Sequence, residues 1–106
     1  MIKTFEDALD MCDYDIKVKF AYLDNLLCDL DDDISEVFEE IAYAEVDEEI
    51  CNRLIESDFE DERERLFKIN QRQMKLAEEL DYLQVKYDIV EDLYEEVLFN
   101  ILANID

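Results

Sequence analysis

The strongest pattern in the chain is a heptad repeat of apolar positions between Leu66 and Ile105. The positions that recur at alternating steps of three and four are Leu66, Ile69, Gln73, Leu76, Leu80, Leu83, Tyr87, Val90, Tyr94, Val97, Ile101 and Asn104. Such steps keep side chains on one face of an α-helix, so the series predicts one long helix, or two stacked helices if the chain breaks near Tyr87. At a rise of 1.5 Å per residue this helix would be about 60 Å long. Either the preceding residues fold back along it, or a second copy of the chain covers it.

The N-terminal part also shows helical spacing, from Phe5 to Leu30. Thr4 stands three residues before Asp7, which is the pattern of a capped helix start. Between residues 14 and 22 apolar side chains also alternate with charged ones, as in a half-buried strand. A strand without a partner elsewhere in the chain would be unstable, so a helix is the preferred interpretation.

Capping patterns predict that the middle of the chain forms short helices. Asp33 can cap a helix that ends near Ala44, and Asp47 can cap the next one. Ser57 opens an S-x-x-E sequence, which is typical of a helix start, so the long C-terminal helix is predicted to begin at Asp58.

The sequence as a whole predicts an all-α fold. Neither Gly nor Pro occurs in the 106 residues, so the usual turn-forming and helix-ending residues are absent. We expect a single acidic helical domain, residues 1–106, that forms a helical bundle on the long C-terminal helix, with its heptad seam at 66–105. The length of that helix favours an elongated form or a homodimer.

The charge of the chain is extreme and uneven. Its 32 carboxylates and 10 basic residues give a net charge of −22. Residues 24–62 contain 17 acids and only one base, Arg53. The basic patch of the chain lies at residues 63–75, where five bases accompany one acid. A surface this negative repels nucleic acid and anionic membranes and attracts basic proteins.

Other features narrow the functional classes. The chain has no His, which excludes Ser–His, Cys–His and His–metal catalysis. Cys12, Cys28 and Cys51 are odd in number and widely spaced, as expected of buried thiols in a reducing cytoplasm and not of a disulfide framework. No apolar run is long enough to span a membrane. We therefore expect a soluble cytoplasmic protein that is not an enzyme and needs no cofactor.

Two acidic patterns could hold a metal ion, but each departs from its template. Residues 29–40 place acids where a calcium loop has ligands, yet the position that requires Gly is occupied by Ile34. Glu91, Asp92 and Glu95 partly resemble the magnesium motif of all-α nucleotide pyrophosphohydrolases of the MazG kind. The second pair of acids, Glu78 and Asp81, precedes that motif here, whereas in the family it follows.

The cluster of acids in residues 24–62 is the main functional candidate. A domain needs a net charge of only about 2 to 8 in magnitude to be soluble, and a higher density costs stability by self-repulsion. If the segment is helical, its acids occur about every 3.4 Å, close to the phosphate spacing along one DNA strand. The candidate partner-binding residues are Asp31, Asp32, Asp33, Glu36, Glu39, Glu40, Asp47, Glu48, Glu49, Glu56, Asp58, Asp61 and Glu62.

In size, helical pattern and acid excess the chain resembles the acidic DNA-mimic inhibitors that phages use against restriction enzymes and CRISPR nucleases. The resemblance lies in composition and includes no motif. It implies a non-enzymatic inhibitor that occupies the basic nucleic-acid-binding surface of a partner protein, in the host cytoplasm if the gene is phage-encoded. The alternative is an immunity protein or chaperone that neutralises a basic toxin or effector. A coiled-coil scaffold is a further interpretation of the seam.

Overall fold

The computed structural model describes residues 4–105, and within this range the chain forms α-helices and no strand. The helices are α1 (Phe5–Asp10), α2 (Tyr14–Glu56) and α3 (Glu62–Leu102). The prediction of an all-α fold with a long C-terminal helix is confirmed, and residues 14–22 are helical. The sequence patterns predict an N-terminal helix, short helices in the middle of the chain and a long C-terminal helix, but residues 4–105 form three helices, because the middle of the chain is part of one long helix.

The start of α1 follows the sequence pattern, whereas its end does not. Thr4 is extended, and its hydroxyl oxygen accepts a hydrogen bond from the Asp7 backbone N–H at 3.2 Å. The helix then ends at Asp10, so the predicted continuous helix from Phe5 to Leu30 is wrong. The carbonyl of Asp13 accepts hydrogen bonds from the backbone N–H groups of Ile16 and Lys17, which starts α2 as a separate helix.

Helix α2 is continuous over 43 residues, so the predicted helix starts at Asp33 and Asp47 are wrong. The physical reason is a second heptad series that continues from Leu30 past both of these positions. Its members are Ile16, Phe20, Leu23, Leu27, Leu30, Ile34, Val37, Ile41, Ala44, Glu48, Cys51 and Ile55. Burying this seam favours continuation of the helix over a local cap.

A five-residue turn joins α2 to α3, so α3 begins at Glu62 and not at Asp58. Asp58 has a φ of 74°, in the left-handed region, where Asp is tolerated better than most residues. The Phe59 N–H donates to the Leu54 carbonyl at 3.0 Å, which closes the end of α2. Helix α3 then continues through Tyr87 without a break.

The structure divides into two compact units, each of which contains part of α2 and part of α3. Unit 1 comprises the chain up to Asp31 together with the chain from Val85 onward, and unit 2 is Asp32–Gln84. Within each long helix the buried seam residues other than Ile101 recur every seven positions, as the heptad pattern requires. These residues are Leu23, Leu30, Val37, Ala44 and Cys51 in α2, and Leu76, Leu83 and Val90 in α3.

Unit 1 has an apolar and aromatic interior. Ala8 of α1 and Ile101 of α3 are both 0% exposed. The Phe20 ring lies 5.4 Å, centroid to centroid, from the Phe5 ring and also from the Tyr94 ring. The interior of unit 1 therefore joins α1, the first turns of α2 and the last turns of α3.

Unit 2 pairs the rest of α2 with the first half of α3 and includes a polar layer. Glu48 and Gln73 are the polar residues at seam positions of unit 2, and the Gln73 side-chain amide donates to the Glu48 carboxylate at 2.5 Å. Closer to the turn, the Cys51 thiol donates to the Glu62 carboxylate at 3.5 Å. These contacts show that α2 and α3 are antiparallel here, and Gln73 has its partner within the chain.

Candidate partner-binding surface

The structure places most of the thirteen predicted acids on one helix. Ten of them lie on α2, Asp58 and Asp61 lie in the turn, and Glu62 begins α3. All except Asp31, the last residue of the first segment of unit 1, belong to unit 2. The sequence had distributed these residues over three short elements.

Unit 2 therefore has nine exposed carboxylates on α2, spread over the solvent-facing side of the helix, which together we call the acidic ridge. Its members are Asp32, Asp33, Glu36, Glu39, Glu40, Glu45, Asp47, Glu49 and Glu56. No Lys or Arg occurs between Lys19 and Arg53, and Arg53 binds Glu49 at 3.0 Å, one turn away on the same helix. The other eight acids of the ridge form no ion pair within 4.0 Å with a basic residue of α2 in the described range.

Two predicted residues are less available than the others. Glu48 and Glu62 are half-buried, and each accepts a hydrogen bond from the facing helix, Glu48 from Gln73 and Glu62 from Cys51. A carboxylate already held in this way is a weaker candidate for binding a partner, because the internal hydrogen bond would be lost or shared. The heptad position of Glu48 could have revealed this from sequence.

The Cys51 thiol lies beside this part of the surface but is chemically quiet. Burial raises the pKa of the Cys51 thiol, the hydrogen bond to Glu62 and its negative charge raise it further, and Arg65 opposes the shift. Because the thiolate is the reactive form, a thiol with a raised pKa is a poor nucleophile. The position of Cys51 in the seam agrees with a packing role.

The spacing of the ridge bears on what it could bind. Residues 32–56 of α2 extend over about 37 Å at 1.5 Å per residue, so nine exposed acids give about one charge per 4 Å. Phosphates follow one strand of duplex DNA about every 3.4 Å. Since α2 does not bend into separate short helices, the spacing applies along a single axis, which the sequence alone did not indicate.

Sequence reasoning missed other exposed residues of this surface. Glu45 belongs to the ridge, and Val46 and Ile50 are 58% and 52% exposed on the same helix. Tyr43 is 60% exposed on the same helix. The heptad series of α2 is the signal that would have placed these side chains outside the seam.

The alternative metal sites find no support in this geometry. Residues 29–40 lie entirely within α2, so they do not form the loop that calcium coordination of this kind requires. Glu78, Asp81, Glu91, Asp92 and Glu95 all lie on the single helix α3. Among residues 4–105 no group of three or more His, Cys, Asp or Glu side chains is arranged to hold a metal ion.

Comparison of the chain with protein-family models, curated proteins and solved structures found no match. Within the described residues, no helix is long and apolar enough to cross a membrane.

Proposed function

We propose that this protein is a non-enzymatic inhibitor that places the acidic ridge in the basic nucleic-acid-binding groove of a partner protein, such as a restriction or CRISPR nuclease. The observation that supports the proposal is the exposed ridge on one uninterrupted helix. Carboxylates at about one per 4 Å can meet Lys and Arg side chains spaced to bind phosphates.

The ridge is also expected to lower the stability of the free protein. Like charges on neighbouring turns of a helix repel each other by a few tenths of a kcal/mol per pair. Glu36 and Glu40 stand in this relation, and so do Asp32 and Glu36. A basic partner would relieve this repulsion on binding, which gives the complex a favourable contribution that the free protein lacks.

The primary experiment is capture of target proteins from a nuclease-bearing cell lysate, with the partners identified by mass spectrometry. We expect the captured partners to be basic nucleic-acid-binding proteins. Excess duplex DNA should release them from this protein, because DNA and the acidic ridge would bind the same groove of the partner. If excess DNA does not reduce the amount of partner captured, the result would contradict the DNA-mimic hypothesis and favour a protein that neutralises a basic toxin.

Charge variants then locate the binding surface on the purified target. The triple variant Asp32→Asn, Glu39→Gln and Glu45→Gln removes three negative charges from the ridge. It should weaken binding at least about tenfold, which corresponds to about 1.4 kcal/mol of binding free energy. The matched control is Asp88→Asn, Glu95→Gln and Glu96→Gln, which removes the same charges from exposed positions of unit 1. Equal weakening by both triple variants would mean that net charge, and not the ridge, determines binding.

A further inference from the structure

Unit 1 has an exposed apolar surface that the proposed function does not use. Tyr22 of α2 and Leu93 of α3 are 65% and 45% exposed. Both line a cleft of about 410 Å³ between these two helices, and Lys19 and Glu96 line it as well. All four residues belong to unit 1, so they lie together on one flank of its helices.

Further apolar residues continue this flank. Leu26 of α2 and Ile89 of α3 directly precede seam residues, as Tyr22 and Leu93 do, and such positions lie on one side of a heptad helix. Ile89 is 56% exposed, and Leu26 is half-buried. We call this surface the cleft flank, and its members are Lys19, Tyr22, Leu26, Ile89, Leu93 and Glu96.

The opposite flank of unit 1 is acidic and would repel a copy of itself. Asp24, Asp31 and Glu91 directly follow seam residues, which places them on the other side of their helices. The cleft flank instead combines one base and one acid, Lys19 and Glu96, with four apolar side chains. Such a surface can bind a partner that presents the same groups with the charges exchanged.

The cleft flank has its opposite charges at the same height on the two helices. The Phe20 and Tyr94 rings are stacked at 5.4 Å, and their residue numbers add to 114. The Asn104 side-chain amide contacts the Cys12 thiol, and these numbers add to 116. The helices of unit 1 are therefore antiparallel, and facing residues have numbers that add to about 115. The pairs of the cleft flank that add to 115 are Lys19 with Glu96, Tyr22 with Leu93, and Leu26 with Ile89.

We propose that the cleft flank binds the cleft flank of a second copy of the chain, in a twofold-symmetric dimer whose axis runs parallel to the helices of unit 1. This rotation keeps each residue at its height and places α2 of each copy on α3 of the other, so the interface is self-complementary. The residues that face each other across it, each pair twice, are Lys19 with Glu96, Tyr22 with Leu93, and Leu26 with Ile89. Asp29 and Lys86 stand in the same relation one turn further along, and Lys86 also interacts within its own chain.

The available area is sufficient for a dimer of moderate affinity. Unit 1 contains 18 residues of α2, Tyr14–Asp31, and 18 residues of α3, Val85–Leu102, and each segment is about 27 Å long. Two helices side by side, each about 10 Å wide, present about 540 Å² per copy. The total of about 1,100 Å² lies at the lower end for specific interfaces, so we expect a dissociation constant in the micromolar range. The acidic ridge belongs to unit 2, so the dimer does not depend on the proposed function.

The first test uses charge-reversal variants and analytical ultracentrifugation at 0.15 M salt, where the Debye length is about 8 Å. Lys19→Glu and Glu96→Lys should each weaken the dimer at least about tenfold, because each makes both charged contacts repulsive. An equimolar mixture of the two variants should form a one-to-one heterodimer, because both charged contacts are then attractive again. Glu96→Lys reduces the net charge from −22 to −20, so weaker general repulsion alone would increase its self-association.

The second test compares apolar substitutions on and off the cleft flank. Tyr22→Ala with Leu93→Ala should weaken the dimer at least about tenfold, because the facing pair is lost twice. Tyr14→Ala with Leu102→Ala removes the same side chains from other exposed positions of unit 1, so this control should remain dimeric. Circular dichroism checks that each variant is helical, and either test can decide if a variant of the other unfolds.

Three outcomes would overturn the proposal, whatever the result of the DNA-competition experiment. The first is a monomeric wild type at about 100 µM, well above a micromolar dissociation constant. The second is a mixture of Lys19→Glu and Glu96→Lys that does not form the heterodimer. The third is equal weakening by the two double alanine variants.

Discussion

Units 1 and 2 are built on the same heptad repeats but have different interiors. Unit 1 buries Ala8 and Ile101 completely and joins three helices through the Phe5, Phe20 and Tyr94 rings. Unit 2 joins two helices without aromatic ring contacts among its described residues, buries Ala44 and Cys51 as well as Val37, Leu76 and Leu83, and contains the Glu48–Gln73 hydrogen bond. Apolar area is the main source of folding energy, whereas a polar pair contributes less energy and selects one alignment.

We infer from this difference that unit 1 and unit 2 contribute differently to stability and to surface charge. Unit 1 should provide most of the stability, while unit 2 carries the charge, with 18 acids and 6 bases in residues 32–84. We therefore expect slower amide exchange in the last turns of α3 than in its first turns. The following changes test or refine the comparison.

The largest effect is expected in the interior of unit 1. Ile101→Ala should lower the free energy of unfolding by about 3 kcal/mol, because it leaves a cavity where the side chain is 0% exposed. Urea denaturation followed by circular dichroism measures the change. Phe99→Ala is the control, since Phe99 is 75% exposed, and its cost should stay below about 0.5 kcal/mol. Equal costs for both substitutions would mean that the packing of unit 1 is not what stabilises the protein.

The polar layer of unit 2 should give a smaller effect of a different kind. Gln73→Leu should cost about 1.5 kcal/mol, because it leaves the half-buried Glu48 carboxylate without its donor. Glu48→Leu with Gln73→Leu should restore or exceed wild-type stability, because neither partner then remains unsatisfied. A double-mutant cycle measures the coupling between the two residues. Additive costs would show that the hydrogen bond does not stabilise unit 2.

The turn of unit 2 contains a local strain that one substitution should relieve. Asp58 has a φ of 74°, and Gly has no Cβ to oppose that conformation. Asp58→Gly should raise the free energy of unfolding by about 0.5 kcal/mol. This is a net value, because Gly relieves the strain in the folded protein but also increases the conformational entropy of the unfolded chain. Asp58→Asn separates the effect of charge from that of the backbone. Asp61→Gly should not stabilise the protein, and a gain there equal to that at Asp58 would contradict the explanation.

The smallest effects should distinguish paired from unpaired acids on the ridge. Glu40→Gln should stabilise the protein by about 0.3 kcal/mol, because it removes repulsion from Glu36 one turn earlier. Glu49→Gln should instead destabilise it by about 0.3 kcal/mol, because it breaks the ion pair with Arg53. Self-repulsion among the acids, taken alone, would predict stabilisation in both cases. Thermal denaturation at low and high salt measures both variants, and salt should reduce both effects by screening.

Much of the secondary structure followed from the sequence because heptad spacing is a local property. The series from Leu66 to Asn104 predicted the long helix α3, and every member except Asn104 is buried or half-buried in the structure. The Thr4 cap was also predicted, since it depends only on Asp7, three residues away. The composition identified the acidic region and most residues of the ridge.

The ends and the partners of the helices depended on tertiary structure. Asp33, Asp47 and Asp58 all have a residue type that favours helix starts, but whether each acts as a cap depends on the apolar area that α2 buries against α3. The same packing determined that Gln73 meets Glu48 within one chain, because a heptad repeat does not specify whether its partner helix belongs to the same molecule. The sequence therefore determined which residues are apolar, charged and regularly spaced. Only the antiparallel packing of α2 on α3 in unit 2 decided which acids stand exposed on one continuous helix and which are held in the interior.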